Sequence, residues 1–322
     1  MSGPAPSPEL IRKLLTALDH QRIVSYVDVL SSFLLVYDLC LNFNLELRHI
    51  WASKWSLLKV LYIIQRYLPF FDTSVMVLHH QFATGLTPHY CSINYHISGW
   101  CFVVSIVISE IVLTLRLWAV WRRSIPVAVG LVIFFLGCWI PCFVLLNQFL
   151  ESMQFSTPPL PHFRGCFISG GSHILYMCWV LMMVYDTGTL IMIIVPGIAA
   201  YRAGGSSELL NAVYRDGVIY YAFIFLVSVI NVIVIVTLPV RAIDARRLKY
   251  CQLIMIPVMQ PDLVHLLSSF ERTLHSILTS RAILHIRKVA SKDRFTHSSS
   301  DGGIPLSTVP PVSTFRVASQ KY

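Results

Sequence analysis

The charged residues of this chain are concentrated in short segments, and the long stretches between these segments carry few charged side chains. This distribution limits which folds the chain can adopt. Of its 322 residues, 55% are hydrophobic and only 13% are charged, whereas a soluble domain carries about 25% charged residues. This pattern excludes a soluble enzyme, a collagen-like chain and a disordered chain. It predicts an all-α fold, an integral membrane bundle of helices.

The apolar stretches have the length that a bilayer requires. A helix needs about 20 mostly apolar residues to cross a ~30 Å hydrocarbon core, and it must satisfy its own backbone hydrogen bonds there. Six spans are predicted near residues 23–44, 57–79, 94–118, 125–149, 173–200 and 214–238. A seventh is expected within 250–279, although the stretch 251–270 contains two prolines, an aspartate and a histidine.

The basic residues indicate an orientation, because Lys and Arg are enriched in cytoplasmic loops. They flank the loops after the first, third and fifth spans, at Arg48, Lys54, Lys59, Arg116, Arg122, Arg123, Arg202 and Arg215. The loop 80–93 has none. We therefore expect the N-terminus outside, a polar segment at 1–22 without a cleavable signal, a transmembrane domain at 23–280, and a cytoplasmic tail. The tail, 281–322, is basic and Ser-rich and is predicted to be disordered.

The segment 26–71 resembles a fungal family of multi-pass membrane proteins that carry domain of unknown function 6533. The features that match are Tyr37-Asp38, Glu46, Trp51, Lys54-Trp55-Ser56, Lys59 and Arg66-Tyr67. Supporting features follow at Glu110, at Arg215-Asp216-Gly217, and in the run from His275 to Arg281. The resemblance implies a seven-helix membrane protein of unknown activity.

One segment departs from the resemblance. The family's sixth helix is followed closely by a stretch that begins with proline, but here 240–260 intervenes and brings a basic cluster to a loop expected outside. We interpret 240–260 as an aberrant insertion, such as an intron retained in the gene model.

Cys91 and Cys166 are both expected outside the membrane, where two thiols can oxidise. A disulfide between them would tie the loop after the fourth span to the start of the third, as in rhodopsin-like receptors. The alternative is two free thiols. The disulfide would have a structural role and not a catalytic one.

Several polar residues lie at membrane depth, where an unpaired charge costs at least a few kcal/mol. The candidate intramembrane polar site comprises Asp38, Arg66, Glu110, Asp186 and Asn231. These residues either line a path for a ligand or a proton, or form interhelical pairs such as Asp38 with Arg66. The sequence leaves both interpretations open.

Arg116, Arg122 and Arg123 follow the third span and are candidates for coupling to a cytoplasmic partner. Arginines at a membrane edge also serve as anchors that extend towards the headgroups. The Asp/Glu-Arg-Tyr and Asn-Pro-x-x-Tyr signatures of rhodopsin-type receptors are missing from the chain.

Four histidines, His79, His80, His89 and His96, are weak candidates for a metal site, since histidine is a common metal ligand. There is no HExxH motif, and no catalytic or cofactor-binding residue is predicted. We expect no cofactor, and an enzyme is the less favoured interpretation.

The sequence therefore predicts a receptor-like seven-helix sensor, with the plasma membrane slightly preferred. Its expected partners are the lipid bilayer, a small ligand and a cytoplasmic signalling partner, and no nucleic acid. A transporter or channel that uses the membrane-embedded carboxylates is the alternative, and a metal-dependent membrane hydrolase is the second alternative.

Overall fold

A computed structural model describes the backbone of residues 8–81, 83–157, 165–172, 174–202, 208–241 and 267–300. Side chains are described over 22–73, 83–157, 165–172, 174–198, 218–234 and 267–288. Helices dominate these segments. They are α1 (Pro8–Glu46), α2 (Leu57–Gln81), α3 (Pro88–Val120), α4 (Ile125–Ser152), α5 (Tyr176–Arg202), α6 (Glu208–Arg241) and α7 (Ser268–Ser300).

Four helical segments in the described part of the chain are long and apolar enough to cross a membrane. They are Arg22–Trp51, Pro88–Val120, Ile125–Ser152 and Tyr176–Ile198. A shorter apolar segment, Val218–Val234, lies in α6. Large apolar side chains on these helices stay exposed, for example Ile125, Ile133 and Val132. A surface of this kind suits contact with lipid tails, so the prediction of a helical membrane protein is confirmed at this level.

The helices pack in chain order around the bundle. Each helix contacts the next one in the chain. The last helix, α7, also contacts α1, so the helices form a closed ring. Helix α3 also contacts α5 and α7. It therefore lies at the centre of the arrangement.

The two sides of this bundle differ in chemistry. An apolar cluster joins α3, α4 and α5 through Ile106, Trp139, Leu146 and Trp179. The contacts around α7 are mostly polar instead. Helix α7 thus lies against α1, α2, α3 and α6 through charged and hydroxyl side chains.

A small hairpin covers one end of the bundle. Strand β1 (Gln154–Ser156) pairs antiparallel with β2 (Phe167–Gly170), with Phe155 opposite Ile168. The Phe155 ring lies 5.1 Å from the Tyr95 ring of α3. We call this end of the bundle the disulfide end, for the bond described below. The other end, which carries the α1–α2 and α3–α4 connections, is the opposite end.

Local sequence explains several helix boundaries. Thr87 precedes α3 in an extended conformation and its hydroxyl accepts a hydrogen bond from the Tyr90 amide at 3.3 Å, while Pro88 occupies the first helical turn.

At the opposite end, Arg122 and Arg123 have positive φ angles of 53° and 57°. This left-handed pair reverses the chain tightly between α3 and α4, at a cost of roughly 1–2 kcal/mol per residue.

The seventh helix differs most from its prediction. The first six predicted spans each overlap one of α1–α6, but α7 begins at Ser268 and continues to Ser300, well past the predicted end at 279. Helix α7 also extends into the segment 281–322 that was predicted as a disordered tail, and Ala282 and Leu284 are buried there. The predicted segment 250–279 overlaps α7 only at 268–279, where most of the buried side chains are polar. From residue 242 on, the suspected insertion 240–260 lies outside the described residues.

Candidate functional site

Helix α7 carries an unusual set of polar side chains that are nearly inaccessible. The buried ones are Ser268, Ser269, Glu271, Arg272, Thr273, His275, Ser276, Thr279 and Ser280. Burying polar groups costs free energy unless they are paired. The neighbouring helices supply partners for Glu271, Arg272, His275, Ser276 and Ser280. The contacts of the charged residues form three levels along α7.

The first level, nearest the opposite end, is centred on Asp38 of α1. Its two carboxylate oxygens accept hydrogen bonds from Arg66 of α2 and Arg281 of α7, each at 2.6 Å. Glu46 adds a second carboxylate, 3.7 Å from Arg66 Nε, and accepts a hydrogen bond from the Tyr67 hydroxyl at 2.7 Å. Two arginines thus face two carboxylates, so the charges balance.

The chain just after α1 holds this level in place. A π-helical turn, Leu47–Trp51, follows α1. The Lys59 ammonium donates to the Trp51 and Ser53 carbonyls at 3.0 and 2.7 Å, and Arg287 donates to the His49 carbonyl at 2.7 Å. These cations satisfy carbonyl groups that the end of a helix leaves without partners.

The second level, the acid–histidine cluster, lies deeper. It consists of Glu110 of α3, Asp186 of α5, Ser228 and Asn231 of α6, and Glu271 and His275 of α7. His275 Nδ1 lies 3.1 Å from Glu110 Oε1. Ser228 Oγ lies 2.5 Å from Asp186 Oδ2 and 2.8 Å from Glu271 Oε1, and the Asn231 amide donates to Glu271 Oε2. All six side chains are buried.

The third level lies nearer the disulfide end and pairs Arg272 of α7 with α2. Arg272 donates to the Asp72 carboxylate and to the Thr73 hydroxyl. Its guanidinium also lies 5.3 Å from the Phe102 ring centre, within the range of a cation–π contact. Between the first and third levels, the Gln65 amide donates to the Ser276 carbonyl at 2.8 Å.

Helix α3 is tied to α5 and α6 beside the second level. The Thr114 hydroxyl donates to the Glu110 carbonyl at 2.6 Å, so the Tyr185 hydroxyl, 2.5 Å away, must donate to Thr114. The Tyr221 hydroxyl donates to the Leu113 carbonyl at 2.6 Å. These bonds fix the part of α3 from which Glu110 projects.

The five residues of the predicted intramembrane polar site lie in two separate groups. Asp38 and Arg66 form the ion pair of the first level, while Glu110, Asp186 and Asn231 belong to the acid–histidine cluster.

Cys91 and Cys166 are joined by a disulfide, with their Cα atoms 5.7 Å apart. The bond ties the start of α3 to the residue before β2. Gly165 beside it donates its amide hydrogen to the Ala83 carbonyl at 3.0 Å. The hairpin is thereby attached to both α3 and the connection that follows α2.

The three candidate coupling arginines lie at the opposite end. Arg116 lies with its guanidinium carbon 5.8 Å from the Tyr220 ring centre. Arg122 and Arg123 are exposed in the turn that follows α3. Their left-handed backbone indicates a role in the turn that the sequence interpretation had missed.

The histidine candidates do not converge where they are described. His89 is exposed, and His96 Nδ1 donates to the Ser92 carbonyl at 2.8 Å within its own helix. The side chains of His79 and His80 lie outside the described residues. Within the described residues, no three His, Cys, Asp or Glu side chains are placed to hold a metal ion.

Sequence reasoning did not select Ser228, Glu271, Arg272 or Arg281 as site residues. A signal existed for Glu271, Arg272 and Arg281. Glu271 and Arg272 lie four and three residues before His275, which is the spacing of one helical face, and Arg281 follows His275 within two turns.

Apolar helices long enough to cross a bilayer, packed around a buried network of paired charges, define an integral helical membrane protein. Residues 26–71 match the model of a family of unknown function (DUF6533), so the chain contains a DUF6533 domain, as predicted. No curated protein matches the chain. The matched segment runs from α1 into α2 and supplies Asp38, Glu46 and Arg66, to which α7 adds Arg281.

Proposed function

We propose that the protein is a receptor-like seven-helix sensor in which all of α1–α7 cross the bilayer, with the N-terminus outside. In this proposal a small ligand acts at the disulfide end, and a cytoplasmic signalling partner binds the opposite end. The plasma membrane is the proposed location.

The position of α3 carries this proposal. Cys91 ties its start to the hairpin, Glu110 lies 3.1 Å from His275 of α7, and Arg116 lies beside Tyr220 of α6. A displacement of the hairpin at the disulfide end can therefore be transmitted through α3, as one rigid helix, to α6 and α7 near the opposite end. Transmission of this kind needs an element with two arrangements that both ends bias.

The charge at the opposite end supports the assignment of sides. Arg48, Lys54, Arg122 and Arg123 are exposed there. Basic residues at one membrane surface favour the cytoplasmic side and its anionic lipids. They also suit an acidic protein partner.

The test is guanine-nucleotide exchange on a heterotrimeric G protein, reconstituted with the purified protein in lipid nanodiscs. We expect faster exchange than with empty nanodiscs. Changing Arg122 and Arg123 together to Gln should reduce that stimulation at least several-fold, because the partner's contact surface loses its charge. The matched control is His89→Gln, an exposed change at the other end, which should leave the exchange rate unaltered.

Exchange that equals the rate in empty nanodiscs would count against coupling to this G protein. Equal loss in the His89→Gln control would show that the arginine effect is not specific to the opposite end.

A transporter or channel is the second candidate, and the polar side of α7 favours it. Glu271, Arg272 and His275 are buried ionisable groups in the first turns of this helix, and Arg281, which is partly exposed, pairs with Asp38 further along it. Side chains of this kind mark ion and proton pathways in membrane proteins. Proton or cation flux into proteoliposomes that Glu110→Gln abolishes would support transport, and a flux equal to that of empty liposomes would oppose it.

A further inference from the structure

One hydroxyl group lies between two carboxyl groups in the acid–histidine cluster. Ser228 Oγ lies 2.5 Å from Asp186 Oδ2 and 2.8 Å from Glu271 Oε1, both within hydrogen-bond distance. A serine hydroxyl has one hydrogen to donate, and an ionised carboxylate can only accept. The serine hydrogen therefore serves one of the two contacts. The other contact needs a hydrogen on the carboxyl group.

The remaining contacts show which carboxyl group holds that hydrogen. Glu271 Oε2 accepts a hydrogen bond from the Asn231 amide, so Glu271 has two donors available. Asp186 Oδ1 has no hydrogen-bond partner among the described residues. Since hydrogen-bond donors stabilise the ionised form of a carboxyl group, Glu271 is the better placed to be ionised and Asp186 to be protonated.

The surroundings also favour a bound proton. The groups that face Asp186 are Glu110 of α3 and Glu271 and His275 of α7, so three carboxyl groups share one imidazole. Asp186 is 2% exposed and Asn231 is 1% exposed, and the Oδ1 atom of each is buried without a hydrogen-bond partner in the described part of the chain. Because unpaired charge at membrane depth is costly, a site with surplus carboxylates and unused oxygens takes up a cation.

We propose that Asp186, Ser228 and Glu271 form a buried proton-binding site that joins α5, α6 and α7. The protonated Asp186 donates from Oδ2 to Ser228 Oγ, and Ser228 donates to Glu271 Oε1. When the proton leaves for solvent, Asp186 becomes a carboxylate. Two ionised groups then compete for one serine hydrogen, and their repulsion separates α5 from α7. The site goes beyond the proposed sensor, since it binds a proton whether the protein signals or transports.

Infrared spectroscopy of the purified full-length chain in lipid tests the proposal directly. A protonated carboxyl group has its own C=O stretching band, separate from those of a carboxylate. We expect this band at neutral pH, shifted in D2O and lost in Asp186→Asn. Ser228→Ala should keep the band but shift it, because Asp186 loses its hydrogen-bond acceptor. The control, Glu151→Gln, removes an exposed carboxylate and should leave the band intact. A band that persists in Asp186→Asn, or is missing from the wild type, overturns the proposal.

Thermal unfolding provides a second readout. Asparagine resembles protonated aspartate in shape and charge, so Asp186→Asn should fold as stably as the wild type at acidic pH. The wild-type Tm should fall as the pH rises, because the folded state loses a proton that stabilises it. The variant should lose this part of the pH dependence. Equal pH slopes in the two proteins overturn the proposal.

The same measurement distinguishes a proton from a monovalent metal cation. Replacing sodium with choline should leave the wild-type Tm unchanged. A wild-type Tm that rises with sodium, together with an Asp186→Asn Tm that does not, would show a cation site and overturn the proton assignment.

Discussion

Asp38 is paired with two cations. Its carboxylate accepts from both Arg66 and Arg281 at 2.6 Å and is 2% exposed. Removing one member of a buried ion pair leaves the other charge without compensation, which costs about 3–5 kcal/mol. We expect Asp38→Asn to lower the free energy of unfolding by about this amount, measured by denaturant titration in detergent micelles.

Glu151→Gln is the matched control for Asp38→Asn. The Glu151 carboxylate is exposed and accepts from the Asn147 amide within α4. We expect the control to change the free energy of unfolding by no more than about 0.5 kcal/mol, as is usual for surface substitutions. Equal stability of Asp38→Asn and the control would mean that the ion pairs do not support the fold.

Opposite outcomes are expected for Asp38 and Asp186, although both are buried aspartates. Asp38 faces two guanidinium groups, so its charge is required and Asn should not replace it. Asp186 shares a serine with another carboxyl group, so Asn should be tolerated. The sequence indicates only that both lie at membrane depth, since their partners come from helices distant along the chain.

Helices α4 and α5 approach closely at one glycine. A Cβ atom on Gly188 would lie 2.6 Å from the Phe134 ring. That ring is stacked against Tyr185, with the ring centres 5.1 Å apart, so the added methyl group would displace a packed aromatic pair. We expect Gly188→Ala to lower the free energy of unfolding by about 1–3 kcal/mol, the usual cost of overpacking, measured by denaturant titration.

Gly137→Ala in α4 is the control, because a Cβ there would meet no atom within 4 Å. Alanine favours helix by roughly 0.5–1 kcal/mol over glycine, so this variant should be as stable as the wild type or more so. Comparable losses in both variants would show that close packing at Gly188 is not the cause.

The hairpin depends on the disulfide for its attachment to α3. Cys91 and Cys166 are 75 residues apart in sequence, and a crosslink over a long loop typically stabilises by about 2–4 kcal/mol. We expect Cys91→Ser to lower the Tm, with no further effect from a reducing agent. The control, Cys40→Ser, removes an exposed free thiol and should behave like the wild type. A reductant-sensitive Tm in Cys91→Ser would mean that another bond carries the effect.

For the whole molecule, the number of membrane crossings is the central prediction. With seven crossings the two ends of the chain lie on opposite sides of the membrane. A glycosylation acceptor fused before Met1 should be modified, and one fused after Tyr322 should not, as read from gel mobility after expression in microsomes. The same pair of fusions in a chain without 240–260 tests the suspected insertion.

Modification of the C-terminal acceptor in both chains would contradict the seven-crossing topology and the receptor proposal with it. Modification in the full-length chain alone would show that 240–260 disturbs the fold.

The apolar stretches of the sequence placed six spans that overlap α1–α6, and the segments in α1, α3, α4 and α5 are long and apolar enough to cross a membrane. The prediction for the seventh span, 250–279, overlaps α7 only in part, and there the buried residues Glu271, Arg272 and His275 interrupt the apolar pattern. A polar helix is stable inside a membrane only when its neighbours supply partners. The partners of these three residues lie on α2, α3 and α6.

The sequence by itself determined the class of protein and most helix positions, because hydrophobicity and length depend only on local composition. It also determined the DUF6533 segment, because that assignment rests on the residues of 26–71 themselves. Only the tertiary structure decided that Asp38 pairs with Arg66 and Arg281, that Ser228 lies between Asp186 and Glu271, and that the polar side chains of α7 face the neighbouring helices. Each of these pairings joins residues that are distant in the chain, and helix packing alone brings them within hydrogen-bond distance.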